Sequence, residues 1–238
     1  MDPRQPLSIR QFRYAADNLA YLVHDGEAAV AVDPGAVDAM AAFAAARGLR
    51  IRQVLNTHTH GDHTVGNRRL CERTGAAFTD CRKIDPGTAI PVGRGRLTVY
   101  RTPGHSDDDV TFHSGAALIT GDTLFNGTVG NCFSGDLKAF YDSIRSLLDF
   151  PPETRIYAGH DYVAESMAAA RSIEPDNPAV DRYLAAYDPD HVVSTLADEL
   201  AVNPYLRFNA PSMVRILEAR GLPVGTEYER WCSVMTAF

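Results

Sequence analysis

A chain of 238 residues, 45% hydrophobic and 22% charged, is long enough for one large globular domain, or a core domain with a small appendage, and for a full apolar core; disorder, collagen and coiled coil are excluded. Twenty-three basic against thirty acidic residues leave a formal charge of −7, and no basic stretch is present to neutralise a row of phosphates, so no nucleic-acid partner is expected. Arg supplies almost all of the positive charge, Lys83 and Lys138 being the only lysines. Four scattered cysteines, Cys71, Cys81, Cys132 and Cys232, form no Cys-x-x-Cys pair and are expected to be reduced. The opening Met-Asp-Pro-Arg-Gln-Pro has no apolar h-region, and no apolar run approaches the roughly 20 residues of a membrane span. The expectation is a cytoplasmic protein with no membrane partner.

Taken in chain order, the first stretch reads as strands broken by turns: Ser8 to Tyr14, Ala20 to His24, an Asp25-Gly26 turn, and Ala28 to Val32 running into Asp33-Pro34-Gly35. Ala36 to Gly48 is an Ala-rich helix with a Gly stop, Ile51 to Leu55 a short buried strand, and His63 to Thr74 a helix closed by Gly75. A second β-rich stretch follows, with Ala89 to Val92, Arg96 to Arg101, Asp109 to His113 and Ala116 to Thr120 each bounded by Gly, Pro or Asp. Two β-rich halves with helices between them predict a layered α/β sandwich. Asp136 is the expected N-cap of a helix whose Leu137, Phe140, Tyr141, Ile144, Leu147 and Leu148 share one apolar stripe. After a strand at Arg155 to Ala158 the chain turns helical: Val163 to Ile173, Ala179 to Tyr187, Ser194 to Ala201, Pro211 to Arg220 and Glu227 to Thr236, separated by turns containing Pro or Asn. The expected organisation is a core domain over 1–161 and a helical C-terminal region over 162–238.

The chemistry concentrates in Thr57-His58-Thr59-His60-Gly61-Asp62-His63, between a strand and a helix. Three of the chain's eight histidines and a carboxylate within six residues make a poor core, and a good set of N and O donors for borderline and hard divalent metals. Alternation at a strand end aims His58 and His60 inward, and the turn brings Asp62 and His63 to an adjacent position, so one loop can feed two ions. Further donors stand at the ends of predicted strands, each after a Gly that lets the backbone turn tightly: His105 after Gly104, Asp122 after Gly121, His160 after Gly159. Singly, each also reads as a capped turn; together with the histidine-rich loop they read as a metal site.

These residues resemble the metallo-β-lactamase superfamily, which implies a four-layer αβ/βα sandwich, here with a C-terminal helical appendage. On that resemblance His58, His60 and His105 bind one metal, Asp62, His63 and His160 bind a second, and Asp122 bridges the two; Asp122 and Asp62 are the catalytic carboxylates. No Cys replaces a ligand, unlike many of the β-lactamases themselves. Gly121-Asp122-Thr123-Leu124-Phe125, Gly159-His160-Asp161-Tyr162, Ser172-Ile173-Glu174-Pro175-Asp176-Asn177-Pro178, and Ser194-Thr195-Leu196-Ala197-Asp198-Glu199 with Asn203-Pro204 look like glyoxalase II, the hydroxyacylglutathione hydrolases, over Asn18 to Phe208. In that group the helical appendage walls a thioester pocket. The resemblance implies a metal-dependent thioester hydrolase that cleaves S-2-hydroxyacylglutathione (S-D-lactoylglutathione) to a 2-hydroxy acid and glutathione, as in methylglyoxal detoxification. It implies two divalent metal ions, zinc in first place with iron or manganese as alternatives, and a small-molecule, glutathione-derived thioester as partner.

The expected substrate contacts are Tyr162, Asn131 and Phe133. The family commonly has a Lys and a Tyr where Asn131 and Phe133 stand, Tyr162 matches a third glutathione contact, and the basic pair near the C-terminus has no clear counterpart around Arg230. A chain this acidic needs local cations to hold an anionic tripeptide, so weaker dependence on the glutathione portion is expected. Ser106-Asp107-Asp108-Asp109 replaces the family's Thr and second Gly-His, and these carboxylates are expected to be solvated, with a place behind the ligands open for one of them.

Two divalent ions about 3.5 to 4 Å apart bring the pKa of a shared water toward about 7, so no nucleophilic side chain is required. None is indicated: there is no Gly-x-Ser-x-Gly elbow, and only Cys132 among the thiols lies near a ligand motif. A thiol of reference pKa about 8.5 leaves as an anion, so little demand falls on a general acid. Asp33, Asn18 and Thr57 are candidates for hydrogen bonds that fix ligand tautomers, and equally for turn or strand-end roles. Tyr187, Tyr205, Phe208, Tyr228 and Trp231 are expected to pack the appendage rather than wall a pocket, and His24, His113 and His191 to be structural or surface residues. The rival readings are lactone or other thioester hydrolysis with the same ligands, a mononuclear-iron persulfide dioxygenase, against which the complete second ligand set argues, and a metal-binding module without turnover, whose mark would be a missing bridging Asp.

Overall fold

The computed structural model describes residues 7–238. The opening meander is β1 (Ser8–Tyr14), β2 (Asn18–His24) and β3 (Ala28–Val32), antiparallel throughout. α1 (Val37–Ala46) leads to β4 (Arg50–Leu55), α2 (Gly61–Thr64), α3 (Asn67–Thr74) and β5 (Ala77–Phe78), and the β3–β4 and β4–β5 pairs are parallel, giving a five-stranded sheet in chain order. The second sheet contains β6 (Ala89–Val92), β7 (Gly95–Arg101), β8 (Val110–Ser114), β9 (Ala117–Gly121), β10 (Arg155–Ala158) and β11 (Ser194–Thr195), ordered β11-β10-β9-β8-β7-β6, with only β9–β10 parallel. Its helices are α4 (Leu137–Leu148), α5 (Val163–Ile173), α6 (Ala179–Ala186), α7 (Leu196–Val202), α8 (Pro211–Ala219) and α9 (Glu227–Ala237).

Successive side chains of a strand point to opposite faces, so these strands serve two cores at once. Leu19, Tyr21 and Val23 of β2 and Val30 and Val32 of β3 enter the core between the sheets, while Ala20, Leu22, Ala29 and Ala31 meet Met40 and Ala44 of α1 and Leu70 of α3. In the second sheet Ala117 and Ile119 of β9 join the inter-sheet core and Leu118 meets Phe140, Ile144 and Leu147 of α4, whose Asp136 cap accepts the Ala139 amide as expected. The layers are helix, sheet, sheet, helix, the four-layer αβ/βα sandwich of the sequence expectation.

The C-terminal helices divide between the two cores. Val163, Met167 and Ala170 of α5, Val180 of α6 and Val202 of α7 close one end of the inter-sheet core, whereas α8 and α9 extend the α4 layer. Trp231 is fully buried there, edge-on to Phe140 and Phe208 with ring centroids 5.7 and 5.9 Å apart. Among the described residues no helix is long and apolar enough to cross a membrane, and all four cysteines are free.

Two expected helices are built differently. His63 to Thr74 is interrupted at Val65-Gly66, which separates α2 from α3; Gly66 lies there against the Pro34 carbonyl with no room for a Cβ. Ser194 to Ala201 splits into β11, paired with β10, and α7, because Thr195 and Asp198 form a reciprocal capping box that starts the helix after Thr195. The appendage thus contributes a strand to the second sheet.

Candidate metal centre

The site forms where the loops after β3, β4, β9 and β10 and the β7–β8 loop converge. His58 and His60 follow β4, Asp62 and His63 begin the short α2, His105 lies between β7 and β8, and Asp122 and His160 come directly after β9 and β10. All seven expected ligand residues are brought together, in three overlapping groups: His58, His60 and His105; His58, His63 and Asp122; and Asp62, His63 and His160.

In the first group His60 Nδ1 lies 3.0 Å from both His58 Nε2 and His105 Nε2. In the third, His63 Nε2 and His160 Nε2 are 3.2 Å apart, with Asp62 Oδ2 at 3.6 and 3.3 Å from them. Asp122 stands between the groups, Oδ1 at 3.3 Å from His63 Nε2 and Oδ2 at 3.5 Å from His105 Nε2 and His160 Nε2 and 3.9 Å from His58 Nε2.

The outward-facing ring nitrogens are held by a second row of groups that decides the tautomers. His63 Nδ1 is 3.1 Å from Asp33 Oδ2, His160 Nδ1 2.8 Å from Asp17 Oδ1, and His105 Nδ1 3.0 Å from the Asn131 carbonyl. A carboxylate or carbonyl can only accept, so these Nδ1 atoms carry a hydrogen and Nε2 is the ring atom that faces inward. Asp33 itself is fully buried and also accepts from the Thr57 amide and hydroxyl at 2.8 and 2.7 Å, while Thr57 Oγ1 lies 3.1 Å from His58 Nδ1. Asn18 Nδ2 donates to Asp62 Oδ2 at 3.0 Å. Asp33, Asn18 and Thr57 therefore all stand behind the ligands; Asp17, adjacent to Asn18, was the member of this row that sequence reasoning missed.

The electrostatics ask for a cation at the centre. Burial, with His63 nearby, drops His58 to about 4, and burial also lowers His105, so both are neutral and free to donate a lone pair. Burial works against charge at His63 and His160 as well, yet the carboxylates of Asp33, Asp122 and Asp17 outweigh it and raise both. Burial would raise Asp122 too, but its contacts with His160 and His63 hold it well below the usual carboxylate range. Asp122 Oδ1 is nevertheless buried without a hydrogen-bond partner. Ring nitrogens converging at 3.0–3.2 Å beside an unpartnered carboxylate oxygen fit the N and O donor chemistry of a divalent metal.

A cavity of about 610 Å³ opens over the centre. His60, Asp62, His105, Asp122 and His160 form its floor, and Phe125, Asn131, Phe133, Tyr162, Glu165, Tyr205, Met235 and Phe238 its walls; no Lys or Arg is among its lining residues. Tyr162 stacks on His160, with centroids 5.0 Å apart and planes 6° from parallel, and burial lifts its phenol to about 12, so it is a neutral hydroxyl. Phe133, 68% exposed, stands edge-on to His105 at 5.2 Å, and Asn131 lines the wall.

Several expectations need correction. Tyr205 lines this cavity rather than only packing the appendage, whereas Phe208 and Trp231 are core as expected. Asp109 is not solvated: it is 2% exposed, receives the Ser106 amide at 2.6 Å and lies 4.0 Å from His58 Nδ1, and burial lifts it to about 7. Asp107 is exposed as expected. His191 is exposed in the loop before β11, a surface residue as expected. Glu165, Met235 and Phe238 were not foreseen; Glu165 carries a signal in its i+3 spacing from Tyr162, whereas Met235 and Phe238 reach the cavity only through the folding back of α9.

Comparison with known proteins agrees with this architecture. Residues 14–78 and 82–160 match the model of the metallo-beta-lactamase superfamily, and residues 161–230 that of the hydroxyacylglutathione hydrolase C-terminus. The chain is similar to a hydroxyacylglutathione hydrolase of Anaeromyxobacter dehalogenans, 37% identical over 84% of this chain and 86% of that one. It is also similar to a hydroxyacylglutathione hydrolase of Cereibacter sphaeroides, 34% identical over 94% of this chain and 98% of that one. Among solved structures it resembles ETHE1 from Myxococcus xanthus, with a TM-score of 0.71 and 25% identity over 96% of this chain and 90% of that one.

Proposed function

Because the chain belongs to the metallo-β-lactamase superfamily, in its hydroxyacylglutathione hydrolase family, we propose that it hydrolyses S-2-hydroxyacylglutathione thioesters, S-D-lactoylglutathione first among them, to a 2-hydroxy acid and glutathione. The observation that carries this reading is the seven-residue donor set, with the Asp122 Oδ1 atom left unpartnered, on the floor of a cavity that the C-terminal helices wall.

His58, His60 and His105 would hold one divalent ion, Asp62, His63 and His160 would hold a second, and Asp122 would serve both; zinc suits the donors, and iron or manganese suit them as well. When bound, such ions acidify a water to about neutral pH and polarise a carbonyl oxygen. The protein's own contribution is positional. Asp33, Asp17 and the Asn131 carbonyl hold Nδ1 of His63, His160 and His105 and so aim Nε2 of each ring at the centre, where an ion would take the place of a proton. Asp122 and Asp62, both ionised, are the catalytic carboxylates: they face the place where the attacking water must lie and accept its hydrogen bonds. Tyr162 offers a neutral hydroxyl to the thiol portion, and Asn131 and Phe133 flank the mouth. The departing thiolate, of pKa about 8.5 as a free thiol, needs no protonation to leave.

The test is elemental analysis of the purified protein beside hydrolysis of S-D-lactoylglutathione followed by thiol release. Two ions per chain with turnover is the expected result. Two ions without turnover would move the substrate to another thioester or a lactone, and a single iron with oxygen consumption on glutathione persulfide would replace the hydrolase reading.

A further inference from the structure

Beyond the ligand rows, the most unusual polar group in the chain is Glu199 on α7, a carboxyl residue with no exposed surface. Oε2 accepts the Gly127 amide at 2.8 Å and Asn203 Nδ2 at 3.0 Å; Oε1 accepts Tyr183 OH at 2.7 Å and Ser194 Oγ at 2.6 Å. An apolar residue would pack α7 without the desolvation penalty of a buried carboxylate, so its presence calls for a reason other than packing.

The reason lies in what it grips. Between β9 and α4 the chain forms a tight tip: Leu124 bridges Val129, the Phe125 amide donates to the Thr128 carbonyl at 3.0 Å, and Asn126 and Gly127 turn the corner. Gly127, at φ +99°, presses on α5 so closely that a Cβ would lie 2.6 Å from Met167 Cε and 2.9 Å from Ser166 Cβ. On the other side α7 takes the tip's two outward backbone groups, the Gly127 N–H by Glu199 and the Thr128 C=O by Asn203 Nδ2 at 3.0 Å. The segment that leaves this tip, Val129-Gly130-Asn131, lines the cavity, and the Asn131 carbonyl accepts from His105.

We infer that Glu199 and Asn203 are positioning residues: they clamp the tip at Gly127 and Thr128, and through it fix the cavity wall formed by Val129, Gly130 and Asn131. The appendage thereby sets the shape of the cavity through a loop of the core domain as well as through Tyr205, Met235 and Phe238. The catalytic consequence rests on the thioester-hydrolase reading; the positional claim does not.

The experiment compares Glu199→Leu, which fills the volume but leaves the Gly127 N–H without an acceptor, with Glu199→Gln, which keeps an acceptor there. Hydrogen–deuterium exchange of the segment over residues 123–133 rises in Glu199→Leu and stays close to the parent's in Glu199→Gln. With S-D-lactoylglutathione, KM rises about tenfold in Glu199→Leu with kcat within about threefold of the parent's, and returns toward the parent's value in Glu199→Gln. If Glu199→Leu does not fold, Asn203→Ala removes the Thr128 grip together with one donor to Glu199, leaves the Gly127 N–H on Glu199, and raises exchange in the same segment. Unchanged exchange in whichever of these two variants folds, or equal exchange in the Leu and Gln variants, overturns the inference. A parent without turnover but with the expected exchange pattern leaves the clamp standing and removes the hydrolase reading.

Discussion

Asp33→Asn changes one atom at the foot of the centre and tests the tautomer argument directly. With Oδ1 retained, the Thr57 amide keeps its acceptor at 2.8 Å, while Oδ2, which takes Thr57 Oγ1 at 2.7 Å and His63 Nδ1 at 3.1 Å, becomes an NH2 group. That group can only donate, so His63 Nδ1 must accept and the ring proton moves to Nε2, the atom that faces His160 and Asp122. Losing a buried, charge-assisted hydrogen bond costs about 1.5–3 kcal/mol of stability. Misdirecting the ligand nitrogen lowers affinity for the ion held by Asp62, His63 and His160 by about 10- to 100-fold. His60 and His105 do not touch Asp33 and His58 reaches it only through Thr57, so affinity for the ion that these three would hold falls less. Chelator titration with elemental analysis reads the affinities, and urea unfolding of chelator-treated protein reads the stability separately. A variant that gives up both ions at the same chelator concentration as the parent would refute the reasoning.

Asp122→Ala, which removes the carboxylate shared by the groups, abolishes hydrolysis together with retention of the ion held by His63 and His160, whereas His113→Ala, on β8 and bonded only to the Gly115 carbonyl, leaves both near the parent's values; parallel activity and metal assays check the pair. Glu174→Gln removes the charge and turns one of the two acceptor oxygens into a donor, so either the Arg207 Nε contact at 2.6 Å or the Ser212 contact is lost, costing about 1.5–3 kcal/mol at pH 7 by urea unfolding. Burial alone would raise the Glu174 pKa, but Arg207 and Ser212 lower it, so its stabilisation is complete above the unfolded value of about 4.3 and fades as the pH falls through the folded one; the gap between parent and variant closes in acid. Replacing glutathione in the substrate by a simpler thiol raises KM by less than about tenfold, or 1.4 kcal/mol, since no Lys or Arg lines the cavity; a much larger rise in steady-state assays would point to a cationic contact from elsewhere.

Ala20 to His24 and Ala28 to Val32 are legible as strands because they are short apolar runs closed by the turn signals Asp25-Gly26 and Asp33-Pro34-Gly35, as befits strands buried on both faces. The short β5 and β11 are not legible: two residues contain no period, and they pair only because β4 and β10 offer open edges. The interruption at Val65-Gly66 is not legible either, since both residues keep right-handed helical backbone angles. A readable signal was passed over at Thr195-Leu196-Ala197-Asp198, a capping box that marks the start of α7 one residue beyond β10's partner strand.

By itself the sequence determined the donor set, because histidines and carboxylates at strand ends after glycines are a chemical pattern independent of what surrounds them. Its periodicity pointed to a layered α/β sandwich, and the four layers followed from the resemblance to the metallo-β-lactamase superfamily. The tertiary structure decided which nitrogen of each histidine faces inward, since Asp33, Asp17 and the Asn131 carbonyl reach those rings from separate loops. It decided, too, that Asp109 is buried and that Tyr205, Met235 and Phe238 wall the cavity. Burial and orientation are properties of several segments meeting in space, whereas the choice of donor atoms is written in one.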